Sequence, residues 1–366
     1  MTTSTVRRPS SLLTSFVVAS RYLPVYLAIA LLIVVASIWA PNTLSRVALS
    51  AIAPFGALLA ITALGQMLVI MTGGIDLSTP GTMTLAALIV VGVGGQSNES
   101  FGTAILTAIG VAALIGLLNG ILIGGLKLNA LIVTLAVGQV VAGVVSRYVR
   151  TFPVQSAVPP ALSDWTSTRI LGMSSVFWVG VVLTVVLIVV LRYTSIGRRF
   201  KVVGANPVAS HVVGVRVTMN QIMVYVVAAV LYAIAGIALA GILRNPGVNI
   251  ASAYLLGPIA AVVIGGASLT GGLASPLSTF SAAFFLTGLN QMMRSMGLPT
   301  ALQFVVFGLV IIGGMLVSGD RIIKAVERLL RERRRSRRPG NGSDTAQTTE
   351  AVEKGEPTTK SKANET

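Results

Sequence analysis

Met71-Thr72-Gly73-Gly74-Ile75-Asp76-Leu77-Ser78 stands between two long apolar runs and breaks them apart. Paired glycines disfavour helix continuation. Asp76 and Ser78 are placed to cap the start of the next helix. Irregular backbone at membrane depth survives only where protein or water covers it. Two readings of Asp76 therefore stand: a plain cap at the interface, or a costly acid with a task of its own. A similar piece, Gly265-Gly266-Ala267-Ser268-Leu269-Thr270, also follows a Val/Ile-rich run. Both read G-G-x-[DS]-L-[ST]. Related breaks in two halves suggest an internal repeat and mark Gly73, Gly74, Asp76, Ser78, Gly265, Gly266 and Ser268 as helix-break or pathway residues.

The solvent assumed above follows from composition. Of 366 residues, 54% are apolar and only 10% charged, against about 25% charged in a soluble domain. Mean hydropathy is +0.85. A soluble fold of this length cannot hide so much apolar surface, so most of the chain is expected in lipid. Cysteine is absent and His211 is the one histidine. Disulfide frameworks, thiolate metal sites and catalytic triads lack parts, so no catalytic or metal residue is assigned.

The formal charge of +16 resembles a nucleic-acid signal, but its placement argues against one. Residues 1–319 carry 15 basic and 3 acidic side chains, residues 321–338 add nine basic against two acidic, and residues 339–366 are net acidic. Positive charge thus sits between apolar stretches and just past the last, as in cytoplasmic loops of membrane proteins. No aromatic residues interleave with the basic ones, as a single-strand binder would need.

Hydropathy at about 20 residues per crossing places spans near 22–40, 47–71, 79–95, 101–126, 129–149, 174–191, 219–243, 255–267, 273–293 and 300–318. The expected fold is all-α: a polytopic membrane protein of about ten transmembrane helices with short broken helices. The third and eighth spans are short. Residues 1–21 read as a cytoplasmic N-terminus, 22–319 as the transmembrane domain, 320–338 as a basic amphipathic juxtamembrane helix and 339–366 as a disordered cytoplasmic tail. Loop 194–218 carries Arg198, Arg199, Lys201 and Arg216 with no acid, which puts it inside, with both termini. Ile322, Ile323, Val326, Leu329 and Leu330 share one face of residues 320–338. That face suits anionic lipid, and a solvated charged run is the competing reading. Recurrent small residues, as in Gly110–Leu114 and Ala233–Gly236, read as close helix packing.

The loop itself is too polar to span and too short for a domain. Asn206-Pro207 is a helix-start signal, and residues 207–213 fit one short helix. The nearest approach to a phosphate-binding loop, Gly120–Lys127, has its lysine one place late in an apolar run, so nucleotide chemistry would belong to another chain. Polar residues inside spans, Gln66, Asn119, Gln139, Asn290 and Gln291, are possible solute contacts; each also serves as interhelical hydrogen-bond glue.

Four ordered motifs now carry a resemblance. V-I-M-T-G-G-I-D-L-S-T-P-G (Val69–Gly81), I-V-T-L (Ile132–Leu135), G-A-N-P-x-A-S-x-x-x-G-V (Gly204–Val215) and V-I-G-G-A-S-L-T-G-G (Val263–Gly272) are similar to the permease of bacterial ATP-binding-cassette (ABC) sugar importers of the ribose/xylose/galactoside branch. The matches run from about residue 45 to 318. Three departures stand out: Asn129-Ala130-Leu131 in place of Pro-Pro-Phe, Ser210-His211 after Ala209, and Thr79-Pro80 where a valine is usual.

The resemblance implies a bacterial inner-membrane, multi-pass subunit without catalysis of its own. It implies a monosaccharide substrate, a separate ABC ATP-binding subunit that holds ATP and magnesium, an extracytoplasmic sugar-binding protein and a second permease copy. It makes Gly204, Ala205, Asn206, Pro207, Ala209, Ser210, His211 and Gly214 the ATPase-coupling loop. An ion-coupled secondary transporter is the alternative reading; Asp76 is the only acid near membrane depth to couple an ion. A polytopic membrane enzyme would want convergent His, Asp or Glu clusters, which the sequence lacks.

Overall fold

The computed structural model describes residues 11–95, 97–150 and 157–318. The basic segment 320–338 and the tail 339–366 lie outside the described residues. Thirteen helices follow in order: α1 (Ser11–Trp39), α2 (Arg46–Met71), α3 (Thr79–Gly94), α4 (Phe101–Gly120), α5 (Ala130–Val149), α6 (Pro160–Ser167), α7 (Ser175–Tyr193), α8 (Ser195–Ala205), α9 (Pro207–Val212), α10 (Val217–Leu243), α11 (Gly257–Ile264), α12 (Pro276–Ser295) and α13 (Thr300–Ser318). A two-residue antiparallel ribbon, Arg169–Ile170 with Met173–Ser174, leads into α7.

Every expected span falls on a helix, but the count of about ten crossings is not confirmed. Six described helices are long and apolar enough to cross: Tyr22–Trp39, Arg46–Met71, Phe101–Gly125, Ala130–Val149, Ser175–Tyr193 and Val217–Leu243. α11 has eight residues and rises only about 12 Å, far short of a hydrocarbon core of about 30 Å, so the stretch 255–267 is not a crossing by itself. α3 has 16 residues. α12 has 20 residues but is too polar to join the six. The loop expected at 150–173 holds α6 and the ribbon, which hydropathy does not reveal.

α2 and α10 are the most enclosed spans. α10 packs on α2, α3 and α4, while α7, α11 and α12 pack on α2. Small residues permit this, as the sequence implied for Ala233–Gly236: a Cβ on Gly236 would overlap the backbone of Met83 on α3. In lipid such close approach supplies the association energy that the hydrophobic effect does not. Gly110, by contrast, faces open space.

Two departures from the family pattern are helix starts. The Asn129 side chain accepts from the N–H of Leu131 at 2.9 Å and caps α5. Pro80 sits in the first turn of α3, where its missing N–H is harmless.

Candidate functional site

Both breaks end a helix in the same way. After α2, Gly73 N–H bonds Ile70 O and Gly74 N–H bonds Val69 O; after α11, Gly266 N–H bonds Val263 O and Ala267 N–H bonds Val262 O. These are Schellman closures, which need a left-handed residue just past the helix. Gly73 (φ 85°) and Gly266 (φ 83°) supply it. The repeated geometry is offset by one residue from the repeated letters: Gly73 matches Gly266, not Gly265.

The first break is wrapped by side chains from four helices. Asp76, fully buried, accepts at Oδ1 from the Ser78 N–H (2.8 Å) and the Ser78 hydroxyl (2.6 Å). Asn119 Nδ2 on α4 donates to Ser78 Oγ at 3.0 Å. Gln66 on α2 straddles the Asp76 peptide: its Nε2 donates to Asp76 O and its Oε1 accepts from Asp76 N–H, both at 3.1 Å, with the α10 Tyr232 hydroxyl 3.0 Å from Nε2. Thr134 Oγ1 on α5 accepts from the Leu77 N–H at 2.9 Å. Backbone that left the helix thus recovers its partners from side chains, as lipid demands. The expectation that Ser78 caps α3 is corrected, because its side chain makes no cap bond. The Asp76 carboxylate holds the Ser78 N–H instead. Sequence reasoning missed Thr134, although it lies inside the quoted I-V-T-L motif.

The second break meets the first. Gly272 N–H donates to Met71 O at 2.8 Å. Gly204, at the end of α8, lies in the same place: a Cβ there would overlap Met71 O and come within 2.8 Å of Gly272 N. The polar loop and both helix breaks therefore share one backbone junction. Among the break residues, Gly265 packs on Thr279 of α12, and Ser268 Oγ lies 2.8 Å from Thr270 Oγ1.

Beyond the junction the loop turns outward. Asn206 Oδ1 accepts from the Ala209 N–H at 3.0 Å and caps α9, with Pro207 in its first turn. Gly214 (φ 80°) closes the helix. Ser210 is not on the outer face: it is fully buried, and its hydroxyl donates to Asn206 O (2.7 Å) and Val202 O (2.9 Å), tying α9 to α8. Ala205, Asn206, Ala209 and His211 are exposed. Val208, Val212 and Val213 are 75%, 80% and 71% exposed. Beside them a groove of about 730 Å³ runs between α9, Lys127 and the start of α10.

The remaining polar candidates separate by environment. Gln66 and Asn119 belong to the wrapped break. Gln139 is exposed on α5, in line with Ala136, Gly143 and Ser146. Asn290 and Gln291 line a cavity of about 430 Å³ with α2, α10 and α13. The cavity is formed at the ends of α2, α10 and α12 remote from Gly204. Among the described residues no group of three or more His, Cys, Asp or Glu side chains could hold a metal ion.

Residues 48–315 match the family described as "Branched-chain amino acid transport system / permease component". The Autoinducer 2 import system permease protein LsrC of Enterobacter sp. (strain 638) is 31% identical over 323 residues, covering 88% of this chain and 93% of that protein. The Ribose import permease protein RbsC of Escherichia coli (strain K12) is 29% identical over 298 residues, covering 81% and 92%. The Galactofuranose transporter permease protein YtfT of the same strain is 32% identical over 269 residues, covering 73% and 78%. No solved structure matches.

Proposed function

Because the chain belongs to this permease family, a multi-pass membrane protein of an ABC importer, we propose that it carries a sugar or sugar-like solute, driven by a separate ATPase that grips α9. The relatives named for ribose, galactofuranose and autoinducer 2 transport support the solute class. The junction of Gly204 with both breaks carries the mechanical part of the reading. Force applied to α9 passes through α8 to Gly204, and from there into the two segments where the helices are discontinuous. Broken helices are where a small displacement changes a path through the membrane.

The exposed valines of α9 support the ATPase contact. An aqueous loop with three exposed valines in sequence neighbourhood presents apolar surface that a partner would cover. ATP and magnesium would be bound by that partner, and this chain would hold no cofactor. The excess of basic residues in 194–218 supports placing this loop, and with it both termini, in the cytoplasm. The exposed line Ala136, Gln139, Gly143 and Ser146 on α5 suits a second permease copy, since small residues let helices approach closely in lipid. An extracytoplasmic binding protein would deliver the solute at the opposite end. The segment 320–338 would rest on anionic lipid.

The ion-coupled alternative loses ground at Asp76, whose carboxylate is engaged in holding Ser78. The deciding experiment reconstitutes the chain with its ATPase and a ribose-loaded binding protein in proteoliposomes. Ribose uptake should require ATP hydrolysis and persist when ion gradients are collapsed. Uptake that follows an ion gradient without hydrolysis would reverse the assignment.

A further inference from the structure

We propose that the cavity remote from the loop holds a hydroxyl-rich solute inside the permease, and that Arg294 selects which solutes it admits. The inference rests on the importer reading above and adds a binding site to it.

Thr287, Asn290, Gln291 and Arg294 are spaced at three, four and seven residues along α12, and such residues share one helical face. All four line the cavity. The stripe is the reason that α12, at full spanning length, is not apolar enough to count as an ordinary crossing. Asn290 and Gln291 are half-buried, and Arg294, in the last turn of α12, is exposed at the mouth; polar side chains on a spanning helix face a water-filled space or a partner. Thr287 satisfies itself on Ala283 O at 2.9 Å. Among the described residues nothing hydrogen-bonds the side chains of Asn290, Gln291 or Arg294, so they do not glue α12 to a neighbour. Gln66 and Asn119, by contrast, do make such bonds at the wrapped break, Gln66 to the Asp76 peptide and Asn119 to Ser78.

The cavity has the make-up of a small-solute site: about 430 Å³, within the usual range of ~300–1,000 Å³, with apolar walls and a few convergent polar groups. Its aromatic walls include Phe55 and Tyr254, flat surfaces against which the C–H face of a sugar ring can lie. Each carboxamide offers both donors and an acceptor, the pattern that matches hydroxyl groups. Arg294 adds donors alone, and no lining residue is acidic. The site therefore suits oxygen-rich neutral or anionic solutes and repels cations.

The absence of cysteine in the chain makes the test direct. Gln291→Cys introduces the sole thiol of this chain, and the unsubstituted permease in the same complex is the control for thiols of its partners. In the full complex with ATPase and binding protein, a membrane-impermeant methanethiosulfonate should modify this thiol from the outer face and lower ribose uptake at least tenfold, and reductant should restore it. Separately, Arg294→Gln should lower ribose uptake at least tenfold while binding-protein-stimulated ATP hydrolysis continues, with partial recovery in Arg294→Lys. A thiol that does not react, a modified complex that transports normally, or unchanged uptake in Arg294→Gln would overturn the site. If ribose, galactose, arabinose, galactofuranose and autoinducer 2 uptake by the unmodified complex all follow an ion gradient without ATP hydrolysis or do not occur, the importer reading itself fails, and the proposal with it.

Discussion

Asp76 receives two hydrogen bonds from a single residue, and that fixes what its replacement does. Asp76→Leu strands the Ser78 N–H and hydroxyl in a dry interior, and each unmet group costs about 1–3 kcal/mol. Thermal unfolding in detergent should show clear destabilisation in Asp76→Leu and a milder effect in Asp76→Asn, whose carbonyl oxygen still accepts from Ser78. Equal stability of all three proteins would mean that the carboxylate does not hold the break. Thr134→Val preserves shape and removes the acceptor of the Leu77 N–H; the same assay should show a loss of about 1–3 kcal/mol. The sequence exposed the acid but not its partners. Gln66, Asn119 and Thr134 lie 10, 43 and 58 residues away, and tertiary folding alone brings them to Asp76. Whether such a residue is glue or solute contact depends on that meeting, so the letters leave it open.

At the scale of elements, both helix ends were legible because glycine at a left-handed position leaves a mark in the sequence. The register of the repeat was not, since paired glycines offer two candidates and only the hydrogen bonds choose. Gly73→Ala and Gly266→Ala should each destabilise the protein by about 1 kcal/mol, while Gly265→Ala (at ordinary φ) should act through its tight packing on α12 instead. Solving these variants would check the distinction: a left-handed alanine at 73 and 266, a shifted α12 at 265. The short α9 was readable from Asn206-Pro207, whose capping chemistry is local. α8 was hidden, being a basic helix that hydropathy treats as loop. Val208→Asp with Val212→Asp should abolish copurification of the ATPase and leave the permease folded. Undiminished copurification would show that the valines are not the contact.

Across the whole molecule, composition settled the solvent and hydropathy located every long helix among the described residues, because both are sums over many residues. Hydropathy alone does not fix the number of crossings, because a run of apolar residues does not say where a helix stops: α11 ends after eight residues at its Schellman turn, inside a run that reads as a span. Nor does hydropathy say which stretches touch. Met71, Gly204 and Gly272 are far apart in the chain, yet they form the junction through which the account sends its force. The most direct measurement is solute moved per ATP hydrolysed by assembled complexes carrying Gly204→Val. That side chain would wedge the loop away from Met71 and Gly272. Such complexes should form and hydrolyse ATP but carry at least tenfold less ribose per ATP; a ratio equal to that of the unaltered protein would contradict force transfer through the junction.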